Sequence, residues 1–208
     1  MIDGDNLLRT SARNGVCIDL RALRELTPRI CAYVQKRSVL EVPPIAIGPV
    51  TEAVFFESIS VKRRPDAPPG TRGWGALRAS GLAAVRSRQA ELRNYGYEPK
   101  IHFSFDGNGY PDSWMIRSIE NRFDRTDVLI VVSADADFWP VIGQAMNRGI
   151  KVFSAGFVPN TNKWYDQFTW HYIDLDKVLV AFTSLIAPRP HRYIGTTIIS
   201  QTLVPQPA

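Results

Sequence analysis

The chain of 208 residues carries 25 lysine and arginine residues against 20 acidic residues, a formal net charge of +5, and its isoelectric point is about 9.4. Hydrophobic residues make up 45% and charged residues 22%, which is ordinary for a globular protein. Two cysteines exclude a disulfide-rich scaffold, and apolar runs such as Val128–Val132 are too short to span a bilayer. The basic charge favours a polyanion, such as nucleic acid, as a partner.

Short apolar strands alternate with amphipathic helices along most of the sequence. In chain order, the predicted elements are helical spacing from Leu20 to Ile30, a strand at Glu52–Val61, a helix at Ala76–Tyr95, a strand at Pro99–Phe105, a helix at Asp112–Phe123, a strand at Asp127–Ser133, a helix at Phe138–Arg148, a strand at Lys151–Ala155, a helix at Lys163–Trp170 and a strand at His171–Leu175. Residues 41–50 and 62–75 are rich in proline and glycine and are predicted to be loops.

This alternation predicts an α/β fold, a three-layer sandwich with a central, mainly parallel sheet. One domain is expected over residues 1–180. The segment 181–208 contains several prolines and lacks a clear pattern, so it is predicted to be a C-terminal extension or tail.

The strongest local feature is the pair of acids Asp135 and Asp137, which follows the apolar strand and precedes a helix. In open α/β sheets, ligands bind at the carboxyl ends of strands. Carboxylate oxygens placed there can hold a divalent cation. The alternative is that Asp137 only caps the helix that starts at Phe138, because aspartate is a favoured cap residue.

Two further acids stand at similar junctions. Asp3 lies in the opening segment IDGDN, before a glycine turn and a helix, where a turn with an asparagine cap is the alternative. Asp112 starts a helix after a proline, where a simple cap is the alternative.

Carboxylates gathered at one sheet edge would repel each other unless a cation neutralised them. Metal-assisted phosphodiester hydrolysis uses such a group, with Mg²⁺ or Mn²⁺ activating water and stabilising the leaving oxygen.

The segment VSADADFW resembles the S-G-D-S-D-F signature of NYN domains, a branch of the PIN-like nuclease superfamily. The opening IDGDN resembles the I-D-G-x-N start of that family, and the order of acids, strands and helices is similar over residues 1–180. The resemblance implies a PIN-like, Rossmann-like fold and a ribonuclease that uses Mg²⁺ or Mn²⁺. It also implies that the catalytic and metal-binding residues are Asp3, Asp112, Asp135 and Asp137, supported by Asn6 and Ser133.

Two other functions remain open. The first is a catalytically inert RNA-binding or scaffolding protein on the same fold, because a fold does not fix a function. The second is a phosphatase or phosphotransferase of the haloacid dehalogenase type, which needs a DxDx[TV]-like start. Here the two acids Asp3 and Asp5 have the required spacing, but the threonine or valine is missing.

The surroundings of the chain can also be anticipated. RNA is the expected partner, no membrane contact is expected, and a homo-oligomer is left open. The expected location is the cytoplasm, since the sequence opens without a signal-peptide pattern and its cysteines fit reduced thiols.

His102 is expected to have a structural role, because it lies within a predicted strand. The tryptophans are expected to pack in the core or between helices more often than to stack on bases; they include Trp114, Trp139, Trp164 and Trp170.

The basic loop after the strand Glu52–Val61 generates a testable prediction. In a parallel sheet, Lys62, Arg63, Arg64 and Arg72 emerge near the acids and would contact RNA phosphates. Changing Lys62, Arg63 and Arg64 together to Ala should weaken RNA binding and flatten its dependence on salt, because fewer counterions are displaced. Turnover at saturating RNA should be unchanged. Binding measured across a salt series checks this, and an unchanged slope would show that the loop does not touch the backbone.

Overall fold

The computed structural model describes residues 1–16, 18–38, 50–61, 74–105, 111–157 and 172–183. These residues form a parallel sheet covered by helices. The strands are β1 (Ile2–Asp3), β2 (Val54–Val61), β3 (Glu98–Phe105), β4 (Val128–Val132), β5 (Lys151–Gly156) and β6 (Tyr172–Asp174). The helices are α1 (Gly4–Arg13), α2 (Leu20–Ser38), α3 (Trp74–Asn94), α4 (Pro111–Glu120), α5 (Trp139–Asn147) and α6 (Leu175–Thr183).

The sheet has the strand order β3-β2-β1-β4-β5-β6, and every pair of neighbours is parallel. The chain runs outward from β1 to β3, crosses back to β4, and then runs outward in the opposite direction. The order therefore reverses between β1 and β4, and in doubly wound sheets the ligand crevice opens at this switch point. The predicted three-layer α/β sandwich with a parallel sheet is confirmed.

Both faces of the sheet are buried. Leu7, Leu26 and Leu92, from α1, α2 and α3, pack on one face, and α6 joins the same cluster. The other face packs against α4 and α5. Adjacent residues of a strand point to opposite faces, so Phe55 enters the first core and Phe56 the second, and each is at most 1% exposed. Burying each ring contributes about 1.5–3 kcal/mol. This double burial explains the unbroken apolar runs in the sequence.

The structure differs from the predicted elements in three places. α1 begins at Gly4 itself, so no glycine turn separates it from Asp3. α2 extends to Ser38, beyond the predicted span that ends at Ile30. Pro28 lies within it on the exposed side, where the backbone carbonyl left without an N–H donor can be hydrated. α6 (Leu175–Thr183) had no predicted counterpart.

Several predicted segments fall outside the described residues. They are the helix Lys163–Trp170, the loop 41–50 apart from its last residue, the loop 62–75 apart from its last two, and nearly all of the extension 181–208. The division of the chain into a domain and a tail stays a prediction. Within the described residues, no helix combines the length and apolar character that a membrane crossing requires.

The close approach of α1 to β2 generates a prediction about stability. A Cβ atom at Gly4 would overlap the ring of Phe55 and lie 2.7 Å from the carbonyl oxygen of Phe56. Gly4→Ala should therefore lower the free energy of unfolding by about 1–3 kcal/mol. Gly143 is the matched control, because it lies within α5 and a Cβ there would meet no atom within 4 Å. Gly143→Ala should raise the free energy of unfolding by about 0.5–1 kcal/mol.

Urea unfolding followed by circular dichroism measures both variants. Equal stability of Gly4→Ala and the unaltered chain would contradict the close packing of α1 on β2.

Candidate functional site

Asp3 and Ser133 lie side by side at the carboxyl ends of the two central strands. Ile2 pairs with Val132 across the parallel ladder, so the next residue of each strand is also adjacent. The Ser133 hydroxyl donates a hydrogen bond to Asp3 Oδ2 over 2.8 Å. Asp3 is only 3% exposed. The switch point of the sheet therefore contains a buried carboxylate.

The same carboxylate starts α1. Its Oδ1 atom accepts a hydrogen bond from the Asn6 backbone N–H over 2.9 Å, so Asp3 is the N-cap residue. The Asn6 side chain is also buried, and its Oδ1 atom accepts from the Ala134 N–H over 3.1 Å. The alternative of an asparagine cap is wrong, because Asp3 caps the helix, and Asn6 connects α1 to the turn after β4.

The two acids after β4 have different local roles. The Asp135 N–H donates to the Ser133 hydroxyl, and Asp135 Oδ1 accepts from the Asp137 N–H, each over 3.1 Å. Asp135 thus caps the short 3₁₀ helix Ala136–Phe138 that leads into α5. The alternative in which Asp137 is the cap is wrong. Asp137 is exposed, and no hydrogen bond to its carboxylate fixes the start of α5.

Burial raises the pKa of Asp3 to about 7. The hydrogen bonds from Asn6 and Ser133 act in the opposite direction, because they stabilise the charged form. The negative charges of Asp112 and Asp5 raise the pKa further. Near neutral pH the buried carboxylate is therefore balanced between its protonated and charged forms.

Asp112 connects the acids of β1 with those that follow β4. It stands in the first turn of α4, and burial is the largest cause of its raised pKa. The negative charges of Asp135, Asp137 and Asp5 raise its pKa as well. Three separate chain segments thus bring carboxylates near one another at the carboxyl edge of the sheet.

Sequence reasoning did not assign two charged residues that belong to this edge. Asp5 is partly buried, and its Oδ2 atom accepts hydrogen bonds from the N–H of Ser58 over 3.0 Å and from its hydroxyl over 2.6 Å. Arg9 is exposed one turn later on α1, and its positive charge lowers the pKa values of Asp5 and Asp112. The i and i+4 spacing of Asp5 and Arg9 is the sequence signal that could have joined them.

The donor atoms of this edge suit a hard divalent cation. All are carboxylate, amide or hydroxyl oxygens, which Mg²⁺ and Mn²⁺ prefer. Over the described part of the chain, however, no three Asp, Glu, His or Cys side chains are arranged so that they could hold a metal ion together. The predicted acids therefore share an edge and influence each other's charge without sharing one coordination sphere. The basic residues Lys62, Arg63, Arg64 and Arg72 lie outside the described residues.

Comparison with known proteins supports the fold. No protein-family model matches the sequence, and a comparison with curated proteins gives no match. Among solved structures, a protein of unknown function from Vibrio parahaemolyticus RIMD 2210633 is similar, with a TM-score of 0.52 and 13% sequence identity. The similarity covers 85% of this chain and 91% of that one. At this identity it concerns the architecture alone and carries no statement about activity.

The raised pKa of Asp3 predicts how stability depends on pH. In the unfolded chain an aspartate loses its proton near pH 4, whereas folded Asp3 keeps its proton up to about pH 7. Between these values the unfolded chain binds fewer protons, so the contribution of Asp3 to the free energy of unfolding falls as pH rises. It is level below about pH 4 and above about pH 7.

Asp3→Asn should remove this loss while keeping the cap, because asparagine also caps helices well. Thermal unfolding with a chelator present, at about pH 5 and about pH 8, should show the variant gaining stability over the unaltered chain as pH rises. Asp19→Asn is the control, since Asp19 also caps a helix start, through the Ala22 N–H, but is exposed. The idea fails if Asp3→Asn and the unaltered chain respond to pH in parallel.

Proposed function

We propose that the chain is a divalent-metal-dependent ribonuclease of the NYN type, which hydrolyses RNA phosphodiester bonds at this acidic edge. The observation that carries the proposal is the placement of carboxylates from three chain segments at one edge of the sheet: Asp3 at the end of β1, Asp112 in the first turn of α4, and Asp135 with Asp137 after β4. Repulsion among carboxylates at the switch point of an α/β sheet lowers stability and offsets part of what the caps formed by Asp3 and Asp135 contribute. A bound cation would turn that repulsion into attraction.

The four predicted acids would hold the cation after their side chains turn toward it, since no three of them surround a common point as the structure stands. Asp3 and Asp112 approach from β1 and α4, and Asp135 and Asp137 from the turn after β4. Asp137 is exposed, so its side chain can turn toward a cation without breaking a packed contact. When bound, Mg²⁺ or Mn²⁺ supplies activation of water and stabilisation of the leaving oxygen.

The remaining residues of the edge orient the acids. Ser133 and Asn6 hold the Asp3 carboxylate and the Asp135 backbone in fixed positions, through the contacts described above. Because the pKa of Asp3 is about 7, cation binding near neutral pH would release a proton from it. Metal affinity should therefore increase as pH rises through that value.

RNA is favoured as the substrate by charge as well as by the resemblance. The chain has a net charge of +5 although several of its 20 acids gather at one edge, so the rest of its surface is more basic than the total suggests. A basic surface attracts a polyanion and offsets the repulsion near the acids. Arg9 supplies a positive charge beside them.

A catalytically inert RNA-binding or scaffolding protein is the second candidate. It is favoured by the lack, among the described residues, of a three-ligand group that could hold a metal ion. The haloacid dehalogenase type of phosphatase is less well supported. α1 begins directly after Asp3, and Asp5 is held by Ser58, so the second acid is occupied in positioning α1 on β2.

The decisive experiment measures cleavage of labelled single-stranded and structured RNA with Mg²⁺, with Mn²⁺ and with EDTA. Asp135→Asn keeps the size of the side chain and its ability to cap the 3₁₀ helix but removes one charge from the edge. Cleavage should fall by about two orders of magnitude or more. Stability should be unchanged or higher, because one repelling charge is gone.

Asp127→Asn is the matched control. Asp127 is exposed and precedes β4, at the opposite edge of the sheet from the acids. This variant should cleave RNA like the unaltered chain. Metal-dependent cleavage that survives Asp135→Asn would show that Asp135 is not a required ligand. RNA binding without metal-dependent cleavage by the unaltered chain would favour the inert binding protein.

A further inference from the structure

The last residues of β2 and β3 form a polar surface beside the acidic edge. Both strands continue past the end of β1 and remain paired up to Val61 and Phe105. In this extension Ser58 pairs with His102, and Ser60 pairs with Ser104. Strand alternation puts these four side chains on the face that α4 covers, the same face as the core residue Phe56.

One hydroxyl group of this polar surface, that of Ser104, is buried. Ser104 is only 7% exposed, and its Oγ atom makes no hydrogen bond, although it belongs to the best-paired part of the sheet. Buried hydroxyl groups in native proteins nearly always have a hydrogen-bond partner. Because solvent does not reach Ser104 Oγ, a ligand on this surface would contact the exposed Trp114 and not this hydroxyl.

Trp114 stands over the same surface on the first turns of α4. Its side chain is 44% exposed, the largest fraction among the exposed large hydrophobic residues of the described chain. The His102 ring meets it edge to face, with ring centroids 5.0 Å apart and planes at 85°. This contact restricts the rotation of the indole before a ligand arrives, which lowers the entropy cost of binding.

We propose that Trp114 is a stacking platform for an unpaired nucleobase of the RNA, so that this site takes single-stranded RNA. The ligand class rests on the proposed function; the platform itself rests on the exposure of Trp114 and its contact with His102. Stacking on an aromatic side chain needs an exposed base face, which a base pair inside a duplex does not offer.

The position of Trp114 relates the stacked base to the acids. Two residues along a helix correspond to about 200° of rotation, so Trp114 and Asp112 lie on opposite flanks of α4. Trp114 faces β3, and Asp112 faces the acids of the switch point. The stacked base therefore belongs to a different nucleotide from the one at the acids. Arg9 supplies a positive charge near Asp112, to which a backbone phosphate could bind.

This assignment revises the expectation for Trp114 drawn from the sequence. The helical pattern of α4 buries Met115 and Ile119, and Trp114 lies outside that buried stripe. A tryptophan that served only to pack α4 against the sheet would be expected inside the stripe.

Binding of fluorescein-labelled oligouridine, alone or annealed to oligoadenine, tests the platform. Fluorescence anisotropy in EDTA keeps cleavage out of the measurement, and a repeat with Mg²⁺ uses the Asp135→Asn background. Trp114→Ala should weaken binding of the single strand about tenfold and leave binding of the duplex unchanged. Trp114→Phe should retain most of the affinity, because it keeps an aromatic face.

Two further variants guard the interpretation. Trp114→Leu keeps an apolar contact with His102 but has no aromatic face. It should therefore weaken single-strand binding about tenfold and leave duplex binding unchanged, and it serves as the test if the Ala variant folds poorly. Met146→Ala removes another exposed hydrophobic side chain, 39% exposed near the end of α5, and should bind like the unaltered chain.

The outcomes separate this inference from the proposed function. Equal binding of single-stranded RNA by Trp114→Leu and the unaltered chain overturns the platform, and a ribonuclease could still stand. The platform is also overturned if the Trp114 variants lose affinity equally for the single strand and the duplex, or if the unaltered chain does not bind the single strand. A change in sedimentation without a change in RNA binding would mean that Trp114 contacts a second copy of the chain. If the Trp114 variants lose only single-strand binding and the unaltered chain shows no metal-dependent cleavage, the platform is supported and the ribonuclease is rejected.

Discussion

The carboxylate of Asp3 lies where the two halves of the sheet meet, and its two oxygen atoms are held from different directions. Oδ1 accepts from the first turn of α1, and Oδ2 accepts from the Ser133 hydroxyl at the end of β4. The same hydroxyl accepts the Asp135 N–H, and Asn6 accepts the Ala134 N–H. One buried carboxylate therefore determines where α1 begins and which way the chain turns after β4, so the geometry of the other acids depends on it.

In this arrangement, a feature that favours cation binding lowers the stability of the fold. Burial of Asp3 disfavours its charged form, and the charges of Asp112 and Asp5 disfavour it further. The Asn6 N–H and Ser133 hydroxyl recover part of that cost through hydrogen bonds to the charged form. Functional sites often carry such local instability, which the rest of the fold must outweigh. Here the two hydrophobic cores, which contain rings such as Phe55 and Phe56, contribute the stability that outweighs this local cost.

The sequence predicted the elements whose signal is local. The apolar run of β4 followed by Asp135 and Asp137 marks a buried strand and its carboxyl end without any knowledge of the rest of the chain. The parallel topology then places Asp3 beside Ser133. The features that were not predicted depend on contacts between residues far apart in the sequence. The hydrogen bond between Asp5 and Ser58, for example, joins residues 53 positions apart. The exposure of Trp114 depends on how α4 lies over β3. The sequence left the capping residues open, because several polar residues compete at each helix start and packing decides which of them points inward.

The contact between Asp5 and Ser58 also protects the sheet from unwanted partners. β2 runs past the point where β1 gives way to α1, so its backbone there lacks a neighbouring strand on one side. Open strand edges are templates on which other chains can add a strand and begin to aggregate. The Asp5 carboxylate occupies the Ser58 N–H, and its negative charge and the body of α1 stand where an incoming strand would have to lie. Asp5 thus blocks strand addition at this part of β2, in addition to its place among the acids.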